Sequence, residues 1–301
     1  MKFLRILLLI VTANLSVAYG QDYSPVPAPN LVEHTYYKLS YNEDYEQANW
    51  VYYTLTDSMI INSGEERTNR FKEDKMVGTK SAKPSDYSRS GYDKGHLCPA
   101  GDMGFNHIAM EESFLMSNMS PQAPDFNRGI WKDLETQVRE WARDEHKLYI
   151  VTGPIFKDDK GTIGADRVAV PGYYYKVIYD PTDQPKMIAF VLPNEGSTRP
   201  ITDFAVSTDE VEKLTGFDFF SQLPDDQENW LESKARLAGW FKGYTAEPTP
   251  EFTQPQAKGN APEGVNARNK TQRDNATFFI VLILIIVLVI IYINFKGRRR
   301  R

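Results

Sequence analysis

The feature that most limits how this chain can fold is an apolar run near its end. Residues 278–295 are almost entirely Ile, Leu, Val and Phe, and only Tyr292 and Asn294 interrupt them. About 20 apolar residues span the hydrocarbon core of a bilayer, and a buried helix of a globular domain would usually show a polar face. We therefore expect a transmembrane helix over residues 277–295. The basic tail that follows, residues 296–301, is then expected on the cytoplasmic side.

The first 20 residues have the pattern of a secretory signal peptide. A basic start over residues 1–5 precedes an apolar stretch and then small residues. A buried helix of the first domain is the alternative. The two ends together predict a main domain outside the cytoplasm, in the periplasm or at the cell surface. The basic tail is also compatible with a processing signal that leads to removal of the apolar helix.

The segment between the two ends has the pattern of a mixed α and β domain. Residues 21–34 are Pro-rich and polar, which predicts an extended lead-in to a domain over residues 35–245. Residues 246–276 combine Pro, Gly, Asn and Gln with few apolar residues, which is typical of a linker. Apolar patterning predicts strands over residues 50–55, 148–153, 173–179 and 186–192, helices over residues 131–143, 207–214 and 227–238, and a loop over residues 63–86.

Charge and cysteine content exclude some classes of protein. The chain has 35 basic and 40 acidic residues, and five of the basic ones lie in the tail, so the rest carries ten more acidic than basic residues. An acidic domain has no broad electrostatic surface for nucleic acid, although a local basic cleft is still allowed. The single cysteine, Cys98, rules out an intrachain disulfide. A small buried residue is the favoured interpretation of Cys98, and a catalytic thiol is the alternative.

Residues able to do chemistry are concentrated in three separated motifs. The sequence Asp-Lys-Gly-His ends at His96, Asn118 lies in a Ser-Asn-Met-Ser segment, and Asn127 precedes the helix that carries Glu135 and Arg139. Each residue alone has a plain structural explanation. A histidine is often a satisfied core residue, asparagines cap helices or form turns, and a Glu–Arg pair at i,i+4 is a common surface ion pair. Only the joint pattern favours a catalytic site.

This joint pattern suits metal-assisted cleavage of a phosphodiester. A histidine titrates near neutrality and can deprotonate a water. A hard cation such as Mg²⁺ keeps several waters and needs only one or two protein oxygen ligands. An asparagine carbonyl is a neutral ligand, so it leaves the charge of the ion available for the phosphate and the leaving oxygen.

The motifs together resemble those of the DNA/RNA non-specific endonucleases, the family of endonuclease G and the secreted Serratia-type nuclease. Asp93-Lys94-Gly95-His96 resembles the family's Asp-Arg-Gly-His signature, and residues 116–122 and 126–135 are similar to its bacterial, endonuclease G-like branch. The resemblance covers most of residues 45–240. It implies an α+β fold of the ββα-metal (His-Me finger) type, with a central antiparallel sheet flanked by helices and followed here by the transmembrane helix.

Carried over by position, the resemblance implies roles for five residues at the metal. His96 would be the general base, and Asn127 would be the one direct protein ligand of Mg²⁺, with Mn²⁺ as a substitute. Glu135 would hold a water bound to the metal. Asn118 would orient the histidine or the scissile group, and Asp93 would support the loop of the motif.

The resemblance also implies contacts with phosphate. Arg139 would contact phosphate directly, and Lys94 stands where the family has arginine. Lysine lacks the planar two-pronged contact that arginine makes, so phosphate binding is expected to be weaker or differently placed. Arg70, within the basic segment 67–72, is a further candidate for binding substrate.

Three functions remain open from the sequence. The favoured one is a membrane-tethered nuclease that cuts DNA and RNA. The alternatives are a catalytically weak relative that binds nucleic acid or another phosphate-rich ligand, and a phosphodiesterase of small nucleotides. A homodimer is known in the family, but no helical seam here indicates one, and the sequence does not indicate an inhibitor.

Overall fold

A seven-stranded antiparallel sheet lies at the centre of the described chain, which comprises residues 22–245 and residue 247 of a computed structural model. In chain order the strands are β1 (Leu31–Glu33), β2 (Tyr37–Asn42), β3 (Gln47–Thr56), β4 (Asp93–His96), β5 (Met119–Gln122), β6 (Lys147–Ile155), β7 (Thr162–Ile163), β8 (Val168–Ala169), β9 (Tyr173–Asp180), β10 (Lys186–Pro193) and β11 (Ala205–Val206). The order across the sheet is β1-β2-β3-β6-β9-β10-β11. Two further antiparallel pairs, β4 with β5 and β7 with β8, lie outside this sheet.

Helices cover both faces of the sheet. They are α1 (Asp57–Ile61), α2 (His107–Ser113), α3 (Pro124–Arg128), α4 (Ile130–Glu145), α5 (Thr208–Thr215) and α6 (Asp225–Glu232), with 3₁₀ turns at Pro84–Tyr87, Met116–Asn118 and Ile201–Phe204. Helix α4 packs against β3 and β6, whereas α5 and α6 contact β10. The predicted α+β class with a central antiparallel sheet is therefore present in the described chain.

Both faces of strand β6, at the centre of the sheet, are buried, and most of its residues are apolar. In β6, Leu148 and Ile150 join the apolar cluster on the α4 face. The alternate residues Tyr149 and Val151 point to the opposite face and join the cluster that includes side chains of α5 and α6. The predicted strands of this sheet are each found, extended by one to three residues at one or both ends.

Helix α4 is the element that joins the core to the functional residues. It covers the predicted helix 131–143, and Trp131, Leu134, Val138 and Trp141 form its buried stripe. Burying side chains of this kind stabilises a fold by roughly 1.5–3 kcal/mol each. Because this stripe fixes the rotation of the helix, the polar residues on its other side are held at defined positions.

Two boundaries differ from the sequence predictions. The predicted lead-in 21–34 contains β1, which pairs with β2, and it also contains the buried side chain of Tyr23. The domain therefore begins before residue 35. The last predicted helix, residues 227–238, ends at Glu232 in the structure. Beyond it the chain turns so that Trp240 packs edge-on against Trp141, with ring centroids 4.8 Å apart.

A small two-stranded sheet and two consecutive helices stand beside the central sheet. Strand β4 pairs with β5, and β5 leads directly into α3 and α4. Gly129 is the single residue between the two helices. A Cβ atom at this position would lie 2.5 Å from the backbone oxygen of Asp125. Only glycine permits this close approach of the backbone. The resulting strand–strand–helix unit positions the residues of the three sequence motifs.

Several sequence predictions lie outside the described residues. These are the signal peptide over residues 1–20, the transmembrane helix over residues 277–295, the basic tail over residues 296–301 and nearly all of the linker over residues 246–276. Among the residues that the structure describes, none of the helices has the length and apolar character needed to cross a membrane.

Candidate active site

Strand β4 presents His96 at the wall of a cleft. In the β4–β5 pair, Gly95 lies opposite Ser120 and His96 lies opposite Met119. A Cβ atom at Gly95 would overlap the side chain of Gln122, at 2.1 Å from its Oε1. Glycine before the histidine therefore allows the backbone of β4 to lie close to the Gln122 side chain of β5.

The surroundings of His96 keep its imidazole uncharged. The ring packs edge-on against Phe114, with centroids 4.9 Å apart, and Phe71 lies at 5.8 Å. Burial lowers the pKa of His96 to about 3, and the charge of Arg67 acts in the same direction. The Nε2 atom is buried and has no hydrogen-bond partner among the described residues. A neutral imidazole with an unpartnered ring nitrogen can accept a proton, but a pKa this far below neutrality weakens it as a base.

Asp93 connects β4 to α3 through Asn127 and Arg128. Its carboxylate accepts a hydrogen bond from Asn127 Nδ2 at 2.9 Å and two from the Arg128 guanidinium, at 2.8 and 2.6 Å. Burial alone would raise the pKa of Asp93, but the bonds from Arg128 and Asn127 outweigh it and hold this pKa below its usual value. Asp93 therefore stays ionised and fixes the orientation of the Asn127 amide.

The sequence allowed Asn127 to be the N-cap of the helix that follows it. In the structure Asn127 lies inside α3, and Gly129 is the residue that precedes α4. Its Nδ2 group is used by Asp93, so the carbonyl oxygen Oδ1 is the part of the amide that remains for a ligand. The side chain lines the cleft. This arrangement meets the chemical requirement for a neutral oxygen ligand of a hard cation.

Helix α4 contributes Lys132, Glu135 and Arg139 to the cleft. Spacings of three and four residues place these side chains on one face of the helix. Burial raises the pKa of the Glu135 carboxyl to about 7, against the opposing charge of Lys176. Glu135 therefore lies near the balance between its neutral and ionised forms at neutral pH, and nearby positive charge favours the carboxylate.

Arg139 is held in place by the buried Asp102. Its Nη1 atom donates to Asp102 Oδ1 at 2.9 Å, and the Tyr53 hydroxyl donates to the other carboxylate oxygen, also at 2.9 Å. Asp102 follows the Asp-Lys-Gly-His motif in the chain, and the sequence alone gives it no role. The ion pair anchors the guanidinium at the edge of the cleft, where its remaining N–H groups can bind phosphate.

Asn118 is buried and is not among the residues that line the cleft. The side chain is fully buried, its Oδ1 accepts from Cys98 N at 2.8 Å, and its Nδ2 donates to Cys98 O and Ser113 O, both at 2.9 Å. Asn118 thus fixes the segment that directly follows His96, and its role in orienting the histidine or the scissile group stays a prediction. Cys98 is itself buried, and burial raises the pKa of its thiol well above the usual range, which agrees with a structural residue.

The basic segment 67–72 reaches the cleft through Arg67, not through the predicted Arg70. Arg70 is exposed and pairs with Glu111 at 3.1 Å, and it does not line the cleft. Arg67 does line it, with its guanidinium 5.0 Å from the centroid of the Phe114 ring. The segment has no regular periodicity, so the sequence offers a basic patch but does not show which of its side chains points inward.

Three further cationic residues near the cleft were not predicted as site residues from the sequence. Arg128 and Lys132 line the cleft. In the sequence, nothing distinguishes either residue from a charged residue on the surface. Lys176 of β9 is 1% exposed, and its ammonium group has no hydrogen-bond partner among the described residues. It lies 4.7 Å from the centroid of the Trp131 ring. The sequence signal for Lys176 is its position inside the predicted strand 173–179. Because buried lysines are rare, a lysine at such a position is a candidate for a functional role.

The cleft is strongly basic although the protein is acidic. It has a volume of about 520 Å³ and is lined by five cationic side chains, Arg67, Lys94, Arg128, Lys132 and Arg139, together with His96, Asn127 and Glu135. Lys94 also lies 4.9 Å from the centroid of the Phe71 ring. A concave site of this charge attracts polyanions locally, which the net charge of the whole chain does not reveal.

Comparison with known proteins decides the family. The family model for DNA/RNA non-specific endonuclease matches residues 21–226. The chain belongs to this family. It is an enzyme of the nuclease class, and the family acts on nucleic acids by cleaving phosphodiester bonds.

Relatives of this endonuclease family come from several groups of organisms. Nuclease C1 of Cunninghamella echinulata var. echinulata is 38% identical over 216 residues, which cover 66% of this chain and 86% of the relative. A nuclease of Nostoc sp. is 36% identical, over 66% of this chain and 76% of the relative. The human mitochondrial nuclease EXOG is 35% identical, over 63% of this chain and 56% of its own length. Because fungal, cyanobacterial and vertebrate proteins all match, the bacterial branch stays a prediction.

A solved structure shows the same fold. A chain in the crystal structure of the EndoG/EndoGI complex, which concerns the inhibition of EndoG, has 33% sequence identity and a TM-score of 0.62. The match covers 66% of this chain and 88% of the other. The α+β nuclease fold expected from the family resemblance is therefore confirmed.

Proposed function

We propose that this chain is a Mg²⁺-dependent, sugar-non-specific endonuclease that hydrolyses phosphodiester bonds in both DNA and RNA. Strands β4 and β5 with helix α4 would form its ββα-metal (His-Me finger) unit. One observation carries the proposal. A single basic cleft brings an uncharged His96, the oriented amide of Asn127 and the carboxyl group of Glu135 together.

His96 acts as the general base in this proposal. Because burial keeps the imidazole neutral, a ring nitrogen can accept a proton from a water molecule at neutral pH. The water oxygen then forms a bond to phosphorus, and the bond between phosphorus and the leaving oxygen breaks with its electron pair. Solvent returns a proton to the leaving oxygen and removes the one held by His96, so the enzyme is unchanged after each cycle.

The donor set fits a hard divalent cation. Asn127 offers a carbonyl oxygen whose direction Asp93 fixes, and Glu135 offers a carboxylate that can hold a metal-bound water. When bound, Mg²⁺ would supply positive charge to the phosphoryl and leaving oxygens, and Mn²⁺ would substitute for it. The cationic residues of the cleft bind and orient the phosphates on either side of the scissile bond.

The absence of sugar or base preference follows from the same residues. The described lining of the cleft consists mainly of cationic side chains that recognise phosphate, and phosphate contacts carry no sequence information. Both DNA and RNA are therefore expected substrates. Lys94 offers a point charge instead of a two-pronged contact, which is expected to lower catalytic efficiency without abolishing activity.

We also propose that the nuclease domain lies outside the cytoplasm and is tethered by the apolar segment 278–295. The support is the hydropathy of that segment and the basic residues that follow it. Both lie outside the described residues.

The function is tested with the purified full chain, plasmid DNA, a long RNA, and either Mg²⁺ or EDTA. We expect Mg²⁺-dependent degradation of both substrates, and His96→Ala should lower the rate by at least about 10²-fold, the low end for loss of a general base. His107→Ala is the matched control, because His107 is exposed and does not line the cleft.

Other outcomes distinguish the alternatives. Binding of nucleic acid without cleavage would identify a binding protein, and cleavage of dinucleotides with intact plasmid would identify a phosphodiesterase of small nucleotides. Equal rates for wild type and His96→Ala would remove His96 from the mechanism.

A further inference from the structure

Three carboxylates from the last two helices converge at a place that has no part in the cleft. Asp209 and Glu212 belong to α5, and Glu232 is the last residue of α6. One carboxylate oxygen of each lies within 4.8 Å of those of the other two. Asp209 is exposed and Glu212 is partly buried, whereas Glu232 is only 4% exposed. We call this set the α5–α6 carboxylate cluster.

The local fold explains how these groups meet. Asp209 and Glu212 are three residues apart on α5, so they share one face of the helix. The backbone N–H of Phe219 donates to Glu212 Oε1 at 2.8 Å, which fixes that carboxylate. Val211 of α5 and Leu231 of α6 belong to the same apolar cluster. Packing of the two helices therefore brings Glu232 to the acidic face of α5.

Glu232 lacks the partners that a buried carboxylate needs. Its Oε1 atom is buried without a hydrogen-bond partner among the described residues, and an oxygen of the same carboxylate lies within 4.8 Å of oxygens of Asp209 and Glu212. The last turn of α6 contains no basic residue, and the C-terminal end of a helix already carries partial negative charge. Burial raises the pKa of Glu232 to about 10, and Glu212 adds to this shift. Buried carboxylates are normally paired or bound to metal.

We propose that the α5–α6 carboxylate cluster binds one Ca²⁺ ion that joins the two helices. Carboxylate oxygens are the preferred ligands of Ca²⁺, at 2.3–2.6 Å, so oxygens on opposite sides of the ion lie up to about 5 Å apart. The cluster meets this spacing before any ion is placed. Glu232 contributes a buried carboxylate with an oxygen that is unpartnered among the described residues, and the exposed Asp209 leaves room for water ligands. The site is structural and is separate from the cation proposed for the cleft.

The experiment measures thermal unfolding of the full chain in EGTA and in Ca²⁺. The Asn127→Ala variant serves as the parent, so that the cleft contributes little to cation binding. At a Ca²⁺ concentration about 100-fold above Kd, we expect the Tm to rise by about 5 °C or more. Adding Glu232→Gln should abolish this rise. Adding Asp209→Asn, at an exposed position where folding is not at risk, should also reduce it.

Glu210→Gln is the matched control. Glu210 is an exposed glutamate of α5 that lies between Asp209 and Glu212 in sequence but outside the cluster. Loss of its charge should leave the Ca²⁺-dependent rise in Tm intact. Isothermal titration with CaCl₂ should show one bound ion per chain in the Asn127→Ala parent and none after Glu232→Gln is added.

Two results would overturn the proposal. One is an equal Ca²⁺-dependent shift in the parent and in Glu232→Gln. The other is no Ca²⁺ binding by the parent, together with a higher Tm for Glu232→Gln in EGTA. That second pattern would show that Glu232 is a protonated acid without a cation. Nuclease activity in Mg²⁺ and EGTA should be the same for wild type and Glu232→Gln, because Glu232 has no part in the cleft.

Discussion

Asp93 determines how Asn127 presents its amide. The Asp93 carboxylate takes the N–H side of Asn127 and is itself held by Arg128. The carbonyl oxygen of Asn127 therefore has a fixed direction before any cation arrives. Partners of this kind commonly change metal affinity by 10–100-fold. The family signature thus contains, three residues before the proposed base, the group that positions the proposed metal ligand.

This arrangement predicts the effects of two substitutions on cation affinity. Asn127→Ala should weaken the apparent affinity for Mg²⁺ by at least about 10-fold, and Asp93→Asn should weaken it by about 10-fold while leaving Asn127 in place. The measurement is the nuclease rate as a function of Mg²⁺ concentration. Asn229→Ala, at an exposed position of α6, should leave the curve unchanged. A curve that does not move in Asn127→Ala would remove this residue from the ligand role.

Lys176 is predicted to set the pH at which Glu135 becomes ionised. The Lys176 charge lowers the pKa of Glu135, which burial raises to about 7. In Lys176→Met the pKa of Glu135 should rise further, so the acidic limb of the pH–rate profile should move to higher pH. Because the ammonium is buried without a hydrogen-bond partner among the described residues, this variant should be no less stable than wild type. An unchanged pH profile would show that Lys176 acts only in packing.

At the residue scale the sequence predicts which residues belong to the site better than it predicts which side chains point into the cleft. It brought His96, Asn127, Glu135 and Arg139 into one hypothesis, and all four line the described cleft. The sequence does not distinguish Arg67 from Arg70, because an irregular loop has no period that shows which side chains point inward. A salt bridge to Glu111, 41 residues further along the chain, takes Arg70 away from the cleft. Such long-range pairing is not visible in a single sequence.

At the scale of elements, the loop between α1 and the 3₁₀ turn Pro84–Tyr87 forms one wall of the site. It supplies Arg67 to the cleft and Phe71 to the surroundings of His96. Asp74 secures this loop, because its Oδ2 atom accepts hydrogen bonds from Ser117 Oγ at 2.5 Å and from His34 Nε2 at 2.8 Å. The sequence predicted only a charged loop here, since these contacts join segments that are far apart in the chain.

Replacing Asp74 should therefore loosen the loop in a pH-dependent way. Burial tends to raise the pKa of Asp74, but hydrogen bonds from His34 and Ser117 outweigh it and lower this pKa. A lowered pKa in the folded state contributes stability at neutral pH that is lost as pH falls through the folded pKa. Asp74→Asn should cost about 1–3 kcal/mol at pH 7, and the difference from wild type should shrink below about pH 4.

Thermal unfolding at pH 7 and pH 3 measures this effect. Asp183→Asn, in an exposed turn, is the control and should change stability by less than about 0.5 kcal/mol. A loss of stability in Asp74→Asn that is equally large at both pH values would show that the charge of Asp74 is not what secures the loop.

At the scale of the whole molecule, net charge and local charge point in opposite directions. The acidic composition argued against a broad nucleic-acid surface, yet five cations gather in one cleft. They do so because β4, α3, α4 and the loop that carries Arg67 come together there. Periodicity correctly predicted the sheet and α4, because both are defined by apolar residues in regular order. The cleft depends on contacts between these elements, which only the folded chain provides.

The last prediction concerns membrane attachment of the whole chain. If residues 278–295 span a bilayer, the full chain should sediment with membranes after expression, whereas a fragment of residues 22–247 should remain in the supernatant. The matched control is the full chain with Ile286→Lys and Val289→Lys. Each lysine near the centre of a spanning helix costs about 2.5–3.5 kcal/mol, so this variant should also remain in the supernatant. Sedimentation of the fragment itself would contradict attachment through residues 278–295.

Orientation is tested on the same cells. Protease added outside intact cells, or outside spheroplasts if the cell has an outer membrane, should release an active nuclease fragment from the full chain. The basic residues after Phe295 favour the cytoplasmic side, so the nuclease domain is expected on the opposite side, within reach of the protease. Complete protection of the domain, with cleavage only after the membrane is disrupted, would show that the domain faces the cytoplasm.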